Sequence, residues 1–490
     1  MGKLTFVSKA LIVLVILGAA FAALYFGGFL KAEKPVRVGV VTWGGYAGGQ
    51  YFNGGFGAST ESRYYTEYGT KVEFVVIDDF TPSRDAWKSG DIDVLWTTAD
   101  AFPTEAGNLA AFDPKIIFQA DWSRGGDAIV VTRNINNVQD LRGKTIAVAF
   151  GTPSYSFLMW LLQSAGMTVN DVQIKEAASA IDAATMFKAG AVDAAVVWSP
   201  DDDDCVQKVP GARVLTSTKQ ATNIIADVFF AKSEYIKTHK KELVALVSGW
   251  MKGAAEINSN AAAKQKAAEI LSVGLNQPQD FCLNAINNTR LATYGDNQNF
   301  FNLIGGFSGV KGEDLYTKTG AMYMQVGQIT GSFPQWRSVV DVSILKEIKG
   351  LEGAMHAAEA QFTYAKPTAA IANAQPMATK PVSIVFATGS YTLDNNAKTI
   401  IDMQVVDPLK NIAGTYVRIT GNTDNTGDYN RNKDLSLKRA EASIDYLVSL
   451  GFNRDRFIAK GNGQDNPVAD NSTEAGRALN RRTDFELIKK

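Results

Sequence analysis

Two stretches about a hundred residues apart follow one plan. "WKSGDIDVLW" (87–96) and "FKAGAVDAAVVW" (187–198) each read as the end of a helix, a glycine cap, an aspartate and a strand closing on tryptophan. Each is preceded by a strand that ends in a glycine-containing turn. In "KPVRVGVVTWGGYAGG" the strand covers 36–42, and in "GKTIAVAFGTPSYSFLMWLLQSAG" it covers 145–149, with a turn at 151–153 and an apolar helix to Ala165. Strand–turn–helix followed by helix–turn–strand is the βαβ grammar of an open, mostly parallel sheet, here met twice. The aspartate-to-tryptophan gaps, three residues from Asp93 to Trp96 and five from Asp193 to Trp198, are both odd. Each tryptophan therefore takes the strand face opposite to its aspartate. Ligands of such sheets bind beyond the carboxyl ends of the strands, where Trp43, Trp96 and Trp198 fall. The same rings would also serve as core lids, and the sequence leaves both uses open.

A chain of 490 residues has room for about three domains at roughly 150 residues each. The 49 basic and 50 acidic residues nearly cancel, and no basic stripe with interleaved aromatics occurs, so nucleic acid is excluded as a partner. The two cysteines, Cys205 and Cys282, make neither a disulfide scaffold nor a CxxC metal spacing; whether they pair is left open. Only two histidines occur, which disfavours catalytic triads and zinc sites. The expectation is a protein that is not an enzyme, with no catalytic residue, metal or cofactor.

The N-terminus sets the compartment. "MGKLTFVSK" (1–9) carries two lysines, and 10–30 then runs for 21 residues without a charge. At about 1.5 Å per residue that length spans the ~30 Å hydrocarbon layer. Ala20 and Ala22 offer a signal-peptidase site as an alternative, but the apolar run continues past them to Leu30. The expected arrangement is an uncleaved single-pass helix in the inner membrane, with the bulk of the chain in the periplasm.

From 36 to about 345 the chain resembles the periplasmic solute-binding proteins of ABC importers, in the branch for nitrate, alkanesulfonates, taurine and thiamine precursors. The stretches that carry the likeness are "DLRGKTIAVAFGTPSYSFLMWLLQSAGMTVNDVQIKEA", "ATMFKAGAVDAAVVWSP" and "ADVFFAKSEYIKTHKKELVALVSGWMKGA". The resemblance implies a type II-like fold over 36–350 in which two α/β lobes, the second at about 124–226, close on one small molecule. An ABC permease would be the corresponding partner. Carried over by position, the cleft would be lined by Trp43, Gly44, Gly45, Tyr46, Thr97, Thr98, Thr152, Ser154 and Trp198. The helix start after Pro153 would offer free N–H groups and hydroxyls to an anion, although Thr152 and Ser154 serve equally as caps. "SPDDDDCV" pulls the other way. Ser199 as N-cap, Pro200 at the first helical position and Asp201 to Asp204 in the first turn suit a helix start, yet acids beside aromatic faces also suit a cationic ligand. The sign of the ligand's charge stays open.

Residues 352–380, alanine-rich with Pro367 and Pro376 and followed by Pro381, read as a semi-extended exposed linker that could reach about 40 to 60 Å. Beyond it, 382–490 read as βαβαββ: a first strand in "VSIVFATGSYTL", helices in "NAKTIIDMQVVDPLKNI" and "DLSLKRAEASIDYLVSLG", and strands in "TYVRITGNTD", "RFIAKGNGQ" and "RRTDFELIKK". The motifs "GNTDNTG", "NKDLSLKRA", "GNGQDNP" and "DNSTEAGRALNRR" resemble, in order and spacing, the OmpA-like domain that binds peptidoglycan. The resemblance implies that Asp424 takes the ammonium and Arg439 the carboxylate of a diaminopimelate peptide, with Thr423, Asn432 and Leu435 shaping the pocket. Arg481 and Arg482 match the family's paired arginines, with a structural and a ligand role both open. Asn422 stands where the family often has histidine, and Ala387 where it often has aspartate.

Together these features imply a membrane-anchored solute receptor tethered to the wall. The alternative is a structural tether whose lobes contact another protein, for which a plugged cleft would be the sign.

Overall fold

The computed structural model describes Val15 and residues 34–384, 386–387 and 389–490. The expected cytoplasmic residues 1–9 and anchor 10–30 thus lie, apart from Val15, outside the described residues. Among the described residues no helix is long and apolar enough to cross a membrane.

In chain order, β1 (Val36–Val40), β2 (Val72–Val76), β3 (Val94–Thr98) and β4 (Pro114–Ser123) open a first lobe. β5 (Asp127–Val131), β6 (Thr145–Ala149), β7 (Gln173–Ala177), β8 (Ala194–Trp198) and β9 (Arg213–Ser217) form a second. β10 (Ala226–Lys232) and β11 (Thr289–Leu291) return to the first. β12 (Ala378–Val382), β13 (Thr415–Asn422), β14 (Phe457–Gly463) and β15 (Thr483–Lys489) make a C-terminal sheet.

The two lobe sheets run β11-β4-β10-β3-β1-β2 and β7-β6-β8-β5-β9, so that β2-β1-β3-β10-β4 of one matches β7-β6-β8-β5-β9 of the other. The paired aspartates of the sequence explain part of that match. Asp93 and Asp193 stand just before β3 and β8, and each caps the strand on which its own strand packs. Asp93 Oδ2 accepts from Arg37 N at 2.9 Å, and Asp193 Oδ2 accepts from Thr145 N at 2.9 Å. Both sheets are mixed rather than mostly parallel, because β10 and β5 enter antiparallel to β3 and β8. The cause is the pair of crossovers: the chain leaves lobe one after β4 and re-enters it through β10. At the crossings Thr218 Oγ1 accepts from Gly125 N at 2.8 Å and Ser123 Oγ lies 2.7 Å from it, which ties the two connections together.

The C-terminal domain orders its sheet β12-β15-β13-β14. Its first strand is Ala378–Val382, earlier than the expected 382–393. Pro381 is tolerated there because β12 is an edge strand paired only with β15. The helical segment from Asn395 to Asn411 is continuous, with a π-helical turn at Asp402–Val406.

The stretch expected to be a free spacer is fastened instead. Thr293 Oγ1 donates to Ala357 O at 2.9 Å, Arg124 pairs with Glu359 at 2.6 Å, and Tyr364 OH donates to Ala413 O at 2.8 Å. The lobe-two core is continuous with that of the C-terminal domain: Leu161 and Tyr323 belong to the same buried cluster as Val417, Leu447 and Phe485. Backbone bonds Val138 N to Met377 O (2.9 Å) and Gly414 N to Gln220 O (3.2 Å) cross the same boundary.

Candidate functional site

Two sites emerge. The first is a cavity of about 550 Å³ between the lobes. The parallel strands β1, β2, β3, β6, β7 and β8 all deliver their carboxyl ends to it, as the βαβ grammar requires. Of the side chains expected there, Trp43, Tyr46, Thr98, Thr152 and Trp198 border the cavity. Gly44, Gly45, Thr97 and Ser154 stand behind it. A Cβ on Gly45 would meet Asp121 Oδ2 at 1.8 Å, and one on Gly44 would meet the Ala285 backbone at 2.3 Å, so these glycines let the turn press onto its support. Thr97 donates to Glu105 at 2.5 Å, and Ser154 is fully buried. Thr152 turns its hydroxyl to Ala149 O at 2.8 Å and leaves the helix Pro153–Ser164 without a side-chain cap.

The aromatic lining is matched by acids that, Asp201 apart, were not expected. Asp78, Asp79, Asp127, Asp201 and Asp227 border the cavity, and Asp100 and Asp121 are buried nearby in the protein interior. Asp121 Oδ2 accepts from Trp43 Nε1 at 3.2 Å, Asp227 Oδ1 from Tyr46 OH at 2.6 Å, and Asp127 Oδ2 from Ser123 Oγ at 2.7 Å. Burial pushes the Asp127 carboxyl up to about 7, against the pull of the Ser123 hydroxyl. Burial raises Asp121 to about 8 although the Trp43 N–H works the other way, and lifts Asp227 well above the usual range with help from the Asp121 charge. Two of these acids left a trace in the sequence: "GGDAIVV" and "IIADVFF" each set one aspartate at the head of an apolar strand.

The "DDDD" run starts its helix one residue later than expected. Pro200 is the residue before the helix Asp201–Lys208, and all four acids occupy the first turn. Asp204 is spent on Lys188 (2.6 Å) and Lys208 (2.8 Å), while Asp201 faces the cavity. Cys205 and Cys282 are free thiols in separate apolar clusters, and burial raises each to about 11.

The second site lies where β13 ends. Asp424 follows β13, and Arg439 sits in the third turn of the helix Tyr429–Ser449, whose N-cap is Asp428. Asp424 Oδ1 accepts from Thr426 N at 2.9 Å, and Oδ2 accepts from Arg481 Nη1 at 2.7 Å. Burial works to raise this carboxyl, but Arg481 and Thr426 outweigh it and hold it below its ordinary value. Arg439 donates from Nε to Ser390 O at 3.0 Å and lies 4.7 Å from the centre of the Phe386 ring. Among the described residues it makes no ion pair, and the partner of Asp424 is Arg481. Thr423 Oγ1 donates to Asp424 O at 2.8 Å, Asn432 Nδ2 spans Thr426 O and Gln464 Oε1 at 3.1 Å each, and Leu435 is half-buried on the same helix. The two adjacent arginines divide their work. Arg482 is tied to Asp484 at 3.0 Å, and that carboxylate also accepts from Asn422 Nδ2 at 2.9 Å. Ala387 is exposed and offers no polar group.

Comparison with known proteins matches this architecture. The NMT1-like family matches residues 33–272 and the OmpA family residues 385–481. The chain is similar in fold to the periplasmic aliphatic sulphonate binding protein SsuA from Escherichia coli, with TM-score 0.50 and 17% identity over 64% of this chain and 100% of that one. It is 36% identical over 116 residues to outer membrane protein A of Bordetella avium, and 44% identical over 82 residues to the peptidoglycan-binding protein ArfA of Mycobacterium bovis. These matches take in 23% and 17% of this chain, and the chain spans 59% and 25% of the length of those two relatives. The chain thus carries a match to the NMT1-like family, on a fold like that of a periplasmic binding protein, ahead of a C-terminal match to the OmpA family.

Proposed function

We propose that this protein is an envelope receptor that binds a small molecule between its lobes while its C-terminal domain holds peptidoglycan, with residues 10–30 anchoring it in the inner membrane. The observation that carries the reading is the open cavity of about 550 Å³, walled from both lobes by strand ends and aromatic rings. That volume falls within the roughly 300 to 1,000 Å³ usual for small-molecule sites. An unplugged cleft favours a receptor over a purely structural tether. At the wall-binding site, Arg439 would grip a diaminopimelate carboxylate and Asp424 its ammonium, with Arg481 giving way as the amine arrives. The role is binding rather than catalysis, in delivery to a permease or in signalling occupancy.

Native mass spectrometry of the intact protein, purified gently from its own envelope, tests the receptor reading. The expected result is a small molecule released by Trp198→Ala; a protein that carries none and shows no melting shift with envelope metabolites would overturn it. Sedimentation with purified sacculi tests the tether. Arg439→Ala and Asp424→Ala should each abolish co-sedimentation, and retention by both variants would remove these residues from the site.

A further inference from the structure

We propose that the inter-lobe cavity is built for an organic cation: an amine, quaternary ammonium or protonated heterocycle on an apolar or aromatic body. The inference rests on the reading of this cavity as a small-molecule site and specifies its ligand class.

Five aspartates border the cavity, and no lysine, arginine or histidine does. Asp78 is occupied, accepting from Thr42 N at 2.7 Å and from its hydroxyl at 3.1 Å. Asp127 and Asp227 are different. They are 3% and 4% exposed and lie on the cavity wall, and each spends one carboxylate oxygen on a protein hydroxyl. Their other oxygens, Oδ1 of Asp127 and Oδ2 of Asp227, accept no hydrogen bond among the described residues. Behind them Asp121 Oδ1 is buried without a partner as well. Carboxylates gathered at low exposure without a counter-charge are costly unless something supplies one.

The cations of the surroundings do not supply it. Arg84, stacked behind Phe80 and Trp96, is matched by Glu105 at 2.7 Å, and Arg124 by Glu359 at 2.6 Å. A metal ion is a poor candidate, since among the described residues no three acidic, histidine or cysteine side chains converge to hold one. The same lining is rich in aromatic rings: Trp43, Phe80, Trp96, Trp198 and Phe281 border the space that holds these carboxylates. Rings beside carboxylates recognise cations that carry their charge on a weakly hydrated organic head. A sulfonate or carboxylate in this space would meet five acids, with the helix starts at Phe80, Pro153, Ala180 and Asp201 to set against them but no cationic side chain.

Calorimetric titration of the full-length protein tests this. Phenethylamine, tryptamine and benzyltrimethylammonium are the cationic probes, and 3-phenylpropionate and benzenesulfonate are anions of similar body. The expected result is binding of the cationic series only, weakened about thirtyfold or more by Asp227→Asn. Asp127→Asn provides a second variant, and since it replaces a carboxyl whose charged form burial already disfavours it should fold at least as well as the parent, checked by circular dichroism. Binding of the anionic series, unchanged or tighter in the Asn variants, overturns the inference and leaves the receptor reading standing. Silence from both series overturns it too, and the receptor reading falls with it only if native mass spectrometry also finds no bound molecule.

Discussion

Single residues decide the electrostatics of the cleft. Asp127 carries a carboxyl raised from 3.8 to about 7, chiefly by burial, so the folded protein binds more protons than the unfolded chain between those values. Stability from this group is fully present below about pH 4 and is lost as pH rises through 7. A shift of that size corresponds to a few kcal/mol. The melting temperature of the ligand-free protein should therefore decline from pH 5 to pH 8, and Asp127→Asn should flatten that decline in calorimetry. An unchanged slope in the variant would show that the carboxyl titrates normally. Gly45 is a second point of leverage. Gly45→Ala would drive a methyl into Asp121, displacing the acceptor of the Trp43 indole, and should lower the melting temperature by several degrees. The tryptophans were legible in the sequence because they close repeated strands. The buried aspartates left only an ambiguous trace, since an aspartate at a strand end also reads as the start of a solvated turn. Only the fold shows that Asp127 and Asp227 fall at the two lobe crossovers and so face the same space.

Elements show where pattern and context part. The repeated strand–turn–helix units were plain in the sequence because every link in them is local. The first C-terminal strand was misplaced because "SIVF" has strand composition, whereas β12 includes Pro381 and takes its register from β15, a hundred residues away. Ile384 and Phe386 pack instead as an irregular segment, buried and half-buried, with Phe386 beneath Arg439. Position in the fold also separates two neighbouring arginines that composition cannot. Arg481 is 41% exposed at its side chain, so Arg481→Ala should change stability by about 1 kcal/mol or less. Arg482 and Asp484 are 10% and 12% exposed, and Arg482→Ala would strand a carboxyl that burial already raises. That loss should cost about 3 to 5 kcal/mol. Thermal unfolding of both variants, alongside sacculus sedimentation, checks the contrast: only Arg481→Ala should alter wall binding without a large melting shift.

At the scale of the whole molecule, the C-terminal domain is built onto lobe two. Val417, Leu447 and Phe485 share one buried cluster with Leu161 and Met167, while the stretch around Ala357–Glu359 is pinned to lobe one through Thr293 and Arg124. A cleft that closes by rotating lobe two about its crossovers would therefore carry the C-terminal domain with it and load the stretch between 359 and 378. Nothing in the alanine-rich composition of that stretch announced this, because its anchors are mostly backbone carbonyls that any residue can provide. Gly414 marks the seam: its N–H donates to Gln220 O at 3.2 Å, and a Cβ there would lie 2.2 Å from Lys219 O. Gly414→Leu should wedge the two domains apart without touching the cleft or the Asp424 pocket. The expected outcome is a larger radius of gyration in small-angle scattering and faster hydrogen exchange at Val138, whose N–H crosses the seam to Met377 O, with sacculus binding retained. Ligand-induced changes in scattering should then shrink, because the lobe that moves no longer carries its rider. If the variant keeps the parent's dimensions and exchange rates, the seam yields locally, and coupling between cleft and wall must run through the pinned stretch alone.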